Sequence, residues 1–183
     1  MNFNNTLFLK LNTLTGYSVF SDTSIVFLAQ FLIFAMAVML FVYMMVSERT
    51  SLFFQRENSS KYRFYEIVIF IGFVSCVMLV VTWIKWYFAI PRPFLQFPEV
   101  VKLFSYGGFD SFPSGHAALS AALATVGYIY NKRFGVILYI CALLVGISRV
   151  VAGVHFPFDI VVGYMLGIGI TGGLFLLYKK LFS

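Results

Sequence analysis

The feature that most constrains this chain is the length of its apolar runs. Ile25–Val46 is a run of 22 residues in which Gln30 is the only strongly polar side chain. A helix needs about 20 mostly apolar residues to cross a bilayer, and in lipid its backbone groups must be paired within the segment. The run therefore predicts a membrane-spanning helix.

Four further runs have the same character. Charged residues make up only 11% of the 183 residues, and the mean hydropathy is +0.91, whereas about a quarter of a soluble domain is charged. We therefore expect no ordinary soluble domain. The sequence predicts an all-α integral membrane bundle of five, possibly six, transmembrane helices, as a single domain of residues 1–183. The other predicted spans are Tyr65–Phe88, Ser114–Tyr130, Phe134–Ala152 and Phe156–Tyr178.

Residues 1–20 differ from these runs because polar residues interrupt them. Apolar side chains recur there at roughly helical spacing, with Lys10 and several asparagines between them. This pattern favours an interfacial helix that lies on the membrane over a sixth span. The segment lacks the features of a cleavable signal peptide. The apolar positions are Phe3, Leu7, Phe8, Leu11 and Leu14.

The basic residues indicate the orientation of the bundle. The net charge is +6, but most cations stand at the ends of apolar runs rather than on one polar face, so we expect no nucleic-acid partner. By the positive-inside rule these ends are cytoplasmic. The loops that carry Arg92, His116, Arg149 and His155 then fall on the outer face, where their cations need another explanation. The topology-setting cations are Arg49, Arg56, Lys61, Arg63, Lys132, Arg133, Lys179 and Lys180.

The fifth run contains two glycines four positions apart, Gly163 and Gly167. Small residues at this spacing let two helix backbones approach closely in a membrane. We expect these glycines to face a neighbouring helix of the same chain.

Polar residues of the outer loops come from three segments. In the first, Lys85 lies near the last turn of the second run, and Arg92 follows between two prolines that stiffen its backbone. In the second, "FPSGHA", Ser114 can cap a helix whose free N–H groups attract an anion. Gly115 lets that backbone approach the anion closely, and His116 titrates near neutral pH.

The third segment is "SRVVAGVHFPFD", residues 148–159. Arg149 ends the fourth run and His155 begins the fifth. Asp159 follows His155 by four positions, which predicts that both side chains share a helix face within hydrogen-bonding reach. A carboxylate bonded to one imidazole nitrogen leaves the other nitrogen available as a nucleophile or base.

Together the segments supply three cations, a helix N-terminus and two histidines on one face of the membrane. A phosphate group needs this combination of neutralising charge, fixed donors and a nucleophile. A metal site is the chemical alternative, because two histidines with Asp159 or Asp110 could hold zinc. Three clustered cations would repel a metal ion, so we expect no metal and no cofactor.

Three motifs of this chain resemble those of the type 2 phosphatidic acid phosphatase family, PAP2. They are Lys85-x6-Arg92-Pro93, Pro113-Ser114-Gly115-His116 and Ser148-Arg149-x5-His155-x3-Asp159. The three motifs match in order and span residues 85–159. The resemblance implies a membrane helical fold and metal-free hydrolysis of lipid phosphates. It implies further that His155 attacks phosphorus, that Asp159 orients it, and that His116 protonates the leaving oxygen. The implied phosphate-binding residues are Lys85, Arg92, Ser114, Gly115 and Arg149.

The resemblance also implies a place and a substrate. We expect a multi-pass protein of the bacterial cytoplasmic membrane with its active site on the outer, periplasmic face and no obligate protein partner. Undecaprenyl diphosphate is the leading substrate, and phosphatidylglycerophosphate, phosphatidic acid and lipid A phosphates are alternatives. A hypothesis of another class is a non-catalytic protein that binds phospholipid headgroups, for which His155 would be dispensable.

Overall fold

The computed structural model describes residues 3–47, 60–105 and 107–182, and within these ranges every regular element is a helix. The predicted all-α class is therefore confirmed. The predicted topology cations Arg49 and Arg56 lie outside the described residues. The helices are α1 (Phe3–Asn12), α2 (Val19–Gln30), α3 (Leu32–Val46), α4 (Ser60–Phe88), α5 (Pro93–Gln96), α6 (Gly115–Tyr130), α7 (Lys132–Val151) and α8 (Pro157–Phe182).

Three stretches of the described chain are long and apolar enough to cross a membrane. They are Lys61–Gln96, Lys132–Val151 and Pro157–Leu181, which overlap three of the predicted spans, Tyr65–Phe88, Phe134–Ala152 and Phe156–Tyr178. The predicted first span, Ile25–Val46, corresponds to two helices, α2 and α3, which meet at Phe31 with a bend of 48°. If this bent pair is one span, the described residues hold four candidate spans, and the chain is a multi-pass membrane protein.

The remaining predicted span corresponds to α6, the most enclosed helix of the bundle. Its 16 residues extend about 24 Å, less than the roughly 30 Å of a hydrocarbon core. Ten of these residues are buried, because α6 packs against α7, α8, α4 and α3. Small alanines allow this close packing, and Ser114 caps the first turn by accepting a hydrogen bond from the Ala117 N–H.

Gly163 and Gly167 of α8 bring that helix into contact with α6. A Cβ atom added to Gly163 would lie 2.6 Å from the Ser114 carbonyl oxygen, and one added to Gly167 would collide with the Ala118 carbonyl. The predicted close approach within one chain is thus confirmed. Its consequence for the site is that the start of α6 is held directly against the first turns of α8.

Helix α1 packs on the protein through its C-terminal half. Phe8 is fully buried against Phe97 and Phe156. The Asn12 amide donates to the carbonyls of Val101 and Val151, both at 2.8 Å, and accepts from the Val101 N–H. Ten residues are too few for a span. The predicted placement of residues 1–20 on the membrane surface stays a prediction, but α1 is also a brace for the loops that follow α4 and α7.

Candidate active site

The segments predicted to share a face meet at one end of the bundle, where α4 and α7 end and α6 and α8 begin. Lys85 lies in the last turn of α4, and Arg92 directly precedes α5. Two backbone hydrogen bonds join the beginning and the end of the segment between α4 and α6. They run from Arg92 N–H to Gly108 O and from Ser111 N–H to Ile90 O. This pairing carries residues 110–114 back over the end of α4.

Asp110 receives both cations of the first segment. Arg92 donates to the Asp110 carboxylate through Nε at 2.8 Å and through Nη2 at 3.0 Å, and Lys85 Nζ donates to the Asp110 carbonyl oxygen. The hydrogen bond from Arg92 lowers the pKa of the Asp110 carboxyl below its usual value, and burial opposes this shift. Sequence reasoning considered Asp110 only as a metal ligand and missed its role as the partner of Arg92.

The other edge of the Arg92 guanidinium faces His155. Arg92 is fully buried, and its Nη1 donates to the Val154 carbonyl at 2.7 Å and lies 3.2 Å from His155 Nε2. Arginine has only donors. The short contact therefore assigns an unprotonated Nε2 and places the proton of a neutral imidazole on Nδ1.

The turn between α7 and α8 presents His155. It bends at Gly153, which has a φ of +81°, and Val154 N–H donates to Arg149 O at 3.2 Å. A Cβ atom at Gly153 would lie 2.6 Å from the Val101 carbonyl oxygen. Both the left-handed backbone and the close approach therefore require glycine here.

Asp159 faces His155 but does not bond it as the sequence predicted. The atoms Asp159 Oδ2 and His155 Nδ1 are 3.5 Å apart, and Nδ1 has no hydrogen-bond partner among the described residues. His155 lies in the turn before Pro157, the first residue of α8, so the two residues are not four apart on one helix. Asp159 Oδ2 instead accepts hydrogen bonds from Ser111 Oγ at 2.6 Å and from the Phe156 N–H at 2.9 Å.

The second segment joins the site at the head of α6. Ser114 is buried, and its N–H donates to the Asp159 carbonyl at 3.0 Å. A Cβ atom at Gly115 would lie 3.8 Å from Lys85 Cε, so the backbone of this turn runs beside the lysine. His116 follows, partly buried, in the first turn of α6.

Arg149 is fully buried in the last turn of α7. Its Nη1 donates to the Ala29 carbonyl at 3.1 Å, and its guanidinium carbon lies 5.7 Å from the centre of the Phe104 ring. These contacts connect the site to α2 and to the loop between α5 and α6. Sequence reasoning anticipated neither contact, because both join residues far apart in the chain.

The surroundings of His155 favour its neutral form and an anionic ligand. Burial holds the pKa of His155 well below its usual value, and the positive charges of Arg149, Arg92 and Lys85 lower it further. The imidazole is therefore uncharged near neutral pH, with its Nε2 lone pair among buried cations. Within the described ranges, no three His, Cys, Asp or Glu side chains are grouped closely enough to hold a metal ion.

Comparisons with known proteins agree on one family. The model of the PAP2 superfamily matches residues 65–183. The chain is 36% identical over 77 residues to the bacitracin transport permease protein BcrC of Bacillus licheniformis, covering 42% of this chain and only 38% of that relative. It is 27% identical to undecaprenyl-diphosphatase BcrC of Bacillus subtilis over 96% of this chain and 83% of that protein. Among solved structures, LpxE of Aquifex aeolicus is similar with a TM-score of 0.71 and 25% identity, over 98% of this chain and 96% of that one.

Proposed function

Because the chain belongs to the PAP2 superfamily, we propose that it is a metal-independent membrane lipid phosphatase that works through a phosphohistidine. The observation that carries this proposal is the contact between Arg92 Nη1 and His155 Nε2, at 3.2 Å. A buried imidazole nitrogen with an available lone pair beside a fixed cation suits attack on a phosphorus atom whose oxygens that cation neutralises.

The proposed reaction has two steps. His155 Nε2 attacks phosphorus, the bond from phosphorus to the leaving oxygen breaks, and His116 gives that oxygen a proton. A water molecule then attacks the phosphohistidine, His116 takes a proton from it, and inorganic phosphate leaves with His155 restored. Asp159 lies on the Nδ1 side of the ring, where its negative charge stabilises the positive charge that the ring acquires on phosphorylation.

Phosphate binding is assigned to Lys85, Arg92 and Arg149, together with Ser114 and the Gly115 backbone. Asp110 already occupies Nε and Nη2 of Arg92, and Nη1 donates to the Val154 carbonyl and faces His155 Nε2. Arg92 is therefore assigned to contact the phosphate through the Nη1 donor that faces His155 Nε2, which turns to the phosphate when substrate binds. The Asp110 carboxylate then sets the direction of that donor. Metal-free catalysis follows from cations that the protein itself supplies.

An apolar groove between α3, α4 and α6 supports a substrate with a long tail. Its volume is about 290 Å³. Leu123 and Val126 line it from α6. Leu123, seven positions after His116, falls on the face that carries His116, and Val126 lies about 80° from His116 round the helix. Val126 is ten residues from His116, or about 15 Å along the helix. A leaving group protonated at His116 can therefore lay its tail along α6. The lining residues are Ala37, Leu40, Phe41, Met44, Ile67, Phe70, Ile71, Val74, Ser75, Leu123 and Val126.

The leading substrate is undecaprenyl diphosphate. The similarity to undecaprenyl-diphosphatase BcrC over most of both chains supports this choice. Phosphatidylglycerophosphate, phosphatidic acid and lipid A phosphates are the alternatives. Placement in the bacterial cytoplasmic membrane with the site outward is supported by Lys132, Arg133, Lys179 and Lys180, which lie at the ends of α7 and α8 remote from His155.

The test of the activity is phosphate release by purified protein in EDTA, with each lipid phosphate offered in turn. Wild type should release phosphate, and His155→Ala should reduce the rate at least about 1,000-fold. Lys102→Ala is the control, because it removes an outer-loop cation that lies over the Phe94 ring. Full activity of His155→Ala would disprove the mechanism. Headgroup binding without phosphate release by wild type would instead support the non-catalytic hypothesis.

The groove can be tested by placing a bulky side chain at Ala37, which lines it. Ala37→Trp should lower kcat/KM for undecaprenyl diphosphate severalfold and leave dimethylallyl diphosphate unchanged, because a main chain of four carbons is too short to reach Leu123, about 10 Å along α6 from His116. Ala35→Trp, on the same helix but outside the groove lining, is the matched control. Equal losses for both lipids in Ala37→Trp would contradict a tail site in this groove.

A further inference from the structure

Ser111 joins the loop between α4 and α6 to the start of α8. The side chain is fully buried, and its Oγ donates to Asp159 Oδ2 at 2.6 Å. Its backbone N–H donates to the Ile90 carbonyl at 3.0 Å. Ser111 therefore has a fixed backbone and a short hydrogen bond to the carboxylate that faces His155, yet it lies outside the three motifs.

Ser111 Oγ bonds the same carboxylate oxygen of Asp159 that faces His155. Oδ2 accepts from Ser111 Oγ and from the Phe156 N–H, and it is the oxygen 3.5 Å from His155 Nδ1. Two donors fix the position of this oxygen at van der Waals distance from the imidazole. Without the Ser111 hydroxyl, the Phe156 N–H would be the only one of these two donors left, and the carboxylate could rotate about its χ2 bond.

We propose that Ser111 is a positioning residue of the phosphatase reaction, acting through Asp159. The hydroxyl holds Oδ2 at the Nδ1 side of His155, so that the carboxylate meets the imidazolium charge formed when Nε2 is phosphorylated. Hydrogen bonds to a charged group are stronger than neutral ones, and the short 2.6 Å distance belongs to that class. The proposal rests on the function proposed above, since it assumes that His155 is the nucleophile.

A purely structural role for Ser111 predicts different behaviour. A serine that only ties the loop to α8 would, when replaced, lower the melting temperature and change KM together with kcat. A positioning serine would lower kcat and leave KM nearly unchanged, because its hydroxyl donates to the Asp159 carboxylate rather than to one of the cations assigned to phosphate binding. The division of the effect between kcat and KM therefore separates the two roles.

The first experiment is steady-state phosphate release by Ser111→Ala, in EDTA, with undecaprenyl diphosphate in detergent micelles. We expect kcat to fall about 10- to 100-fold with KM changed less than about 2-fold. Ser120→Ala is the matched control, since Ser120 is equally buried near the head of α6 but donates only to the Ala117 carbonyl. Ser111→Cys keeps nearly the same volume with a weak donor, and it gives the same answer if the alanine variant fails to fold. Unchanged kcat in a folded Ser111 variant would overturn the proposal.

The second experiment is a double-mutant cycle with Asp159→Asn. If Ser111 acts through Asp159, Ser111→Ala should lower kcat less than about 2-fold in the Asp159→Asn background. An undiminished 10- to 100-fold loss in that background would show that Ser111 acts elsewhere and would overturn the proposal. Failure of the proposed function itself is seen without any Ser111 variant, because His155→Ala would then retain activity.

Discussion

Arg92 Nη1 lies 3.2 Å from His155 Nε2, and the opposite edge of the same guanidinium is clamped by Asp110. The pair is buried at the junction of α4, α6, α7 and α8. Because arginine can only donate, it holds the His155 ring with Nε2, the proposed nucleophile, unprotonated. One residue thus orients the proposed nucleophile and supplies a positive charge for the phosphate.

Arg92→Lys should lower kcat/KM about 100-fold, although the charge is kept. Lysine cannot bond the Asp110 carboxylate with two parallel donors while it also reaches His155. The measurement is phosphate release from a lipid phosphate across a range of substrate concentrations. Arg63→Lys is the control, since Arg63 donates to backbone carbonyls at the opposite end of the bundle. Equal activity of Arg92→Lys and wild type would show that the fork geometry is unimportant.

Acid should remove the stabilisation that Asp110 provides. The pKa of Asp110 is lowered in the folded protein, chiefly by the hydrogen bond from Arg92. A depressed carboxyl pKa contributes stability that is present above the unfolded value, near pH 4, and is lost as pH falls through the folded value. The melting temperature of wild type should therefore exceed that of Asp110→Asn at pH 7, and the difference should narrow below about pH 4. A difference in melting temperature between the two proteins that grows on acidification would contradict the ion pair between Arg92 and Asp110.

The contact between α6 and α8 should tolerate no side chain at Gly163. Gly163→Ala would place a Cβ atom 2.6 Å from the Ser114 carbonyl oxygen, which would move the head of α6 away from Asp159. We expect a lower melting temperature and at least a 10-fold loss of kcat/KM. Gly169→Ala meets nothing within 4 Å on the same helix and should be neutral or slightly stabilising. Similar behaviour of the two variants would show that the close approach does not position the site.

The role of α1 as a brace can be tested at Asn12. Asn12→Ala removes three hydrogen bonds to Val101 and Val151. It takes this donor from the buried Val151 carbonyl, which costs about 1–3 kcal/mol. Thermal unfolding should show a lower melting temperature for Asn12→Ala than for wild type. Thr13→Ala, whose exposed hydroxyl bonds only the Lys10 carbonyl, should melt at the wild-type temperature. Equal melting temperatures of Asn12→Ala and wild type would show that α1 does not stabilise the loops that follow α4 and α7.

The sequence predicted the parts of the site that depend on helix ends. Lys85, Ser114 and Arg149 each lie in the last or first turn of an apolar run, and runs of membrane length alternate in direction. Their arrival at one end of the bundle therefore follows from the order of the runs. Ser114 as an N-cap and the close contact at Gly163 followed from local rules that hold whatever the surrounding fold.

The missed features depend on contacts between distant segments. The bonds of Asp110 to Arg92 and of Ser111 to Asp159 span 18 and 48 positions, and neither residue differs locally from an ordinary loop residue. The spacing of His155 and Asp159 suggested a shared helix, but α8 begins two residues after His155. No proline or glycine lies near the bend at Phe31, so local sequence rules could not predict it.

The most direct measurement of the central claim is chemical trapping of the phosphoenzyme. Wild type would be mixed in EDTA with undecaprenyl diphosphate carrying ³²P in its terminal phosphate, denatured within milliseconds, and digested for peptide mapping. The proposed attack by His155 predicts an alkali-stable, acid-labile label on the peptide that contains His155, absent from His155→Ala and present in Ser120→Ala. Label on another residue, or rapid phosphate release by His155→Ala, would contradict it.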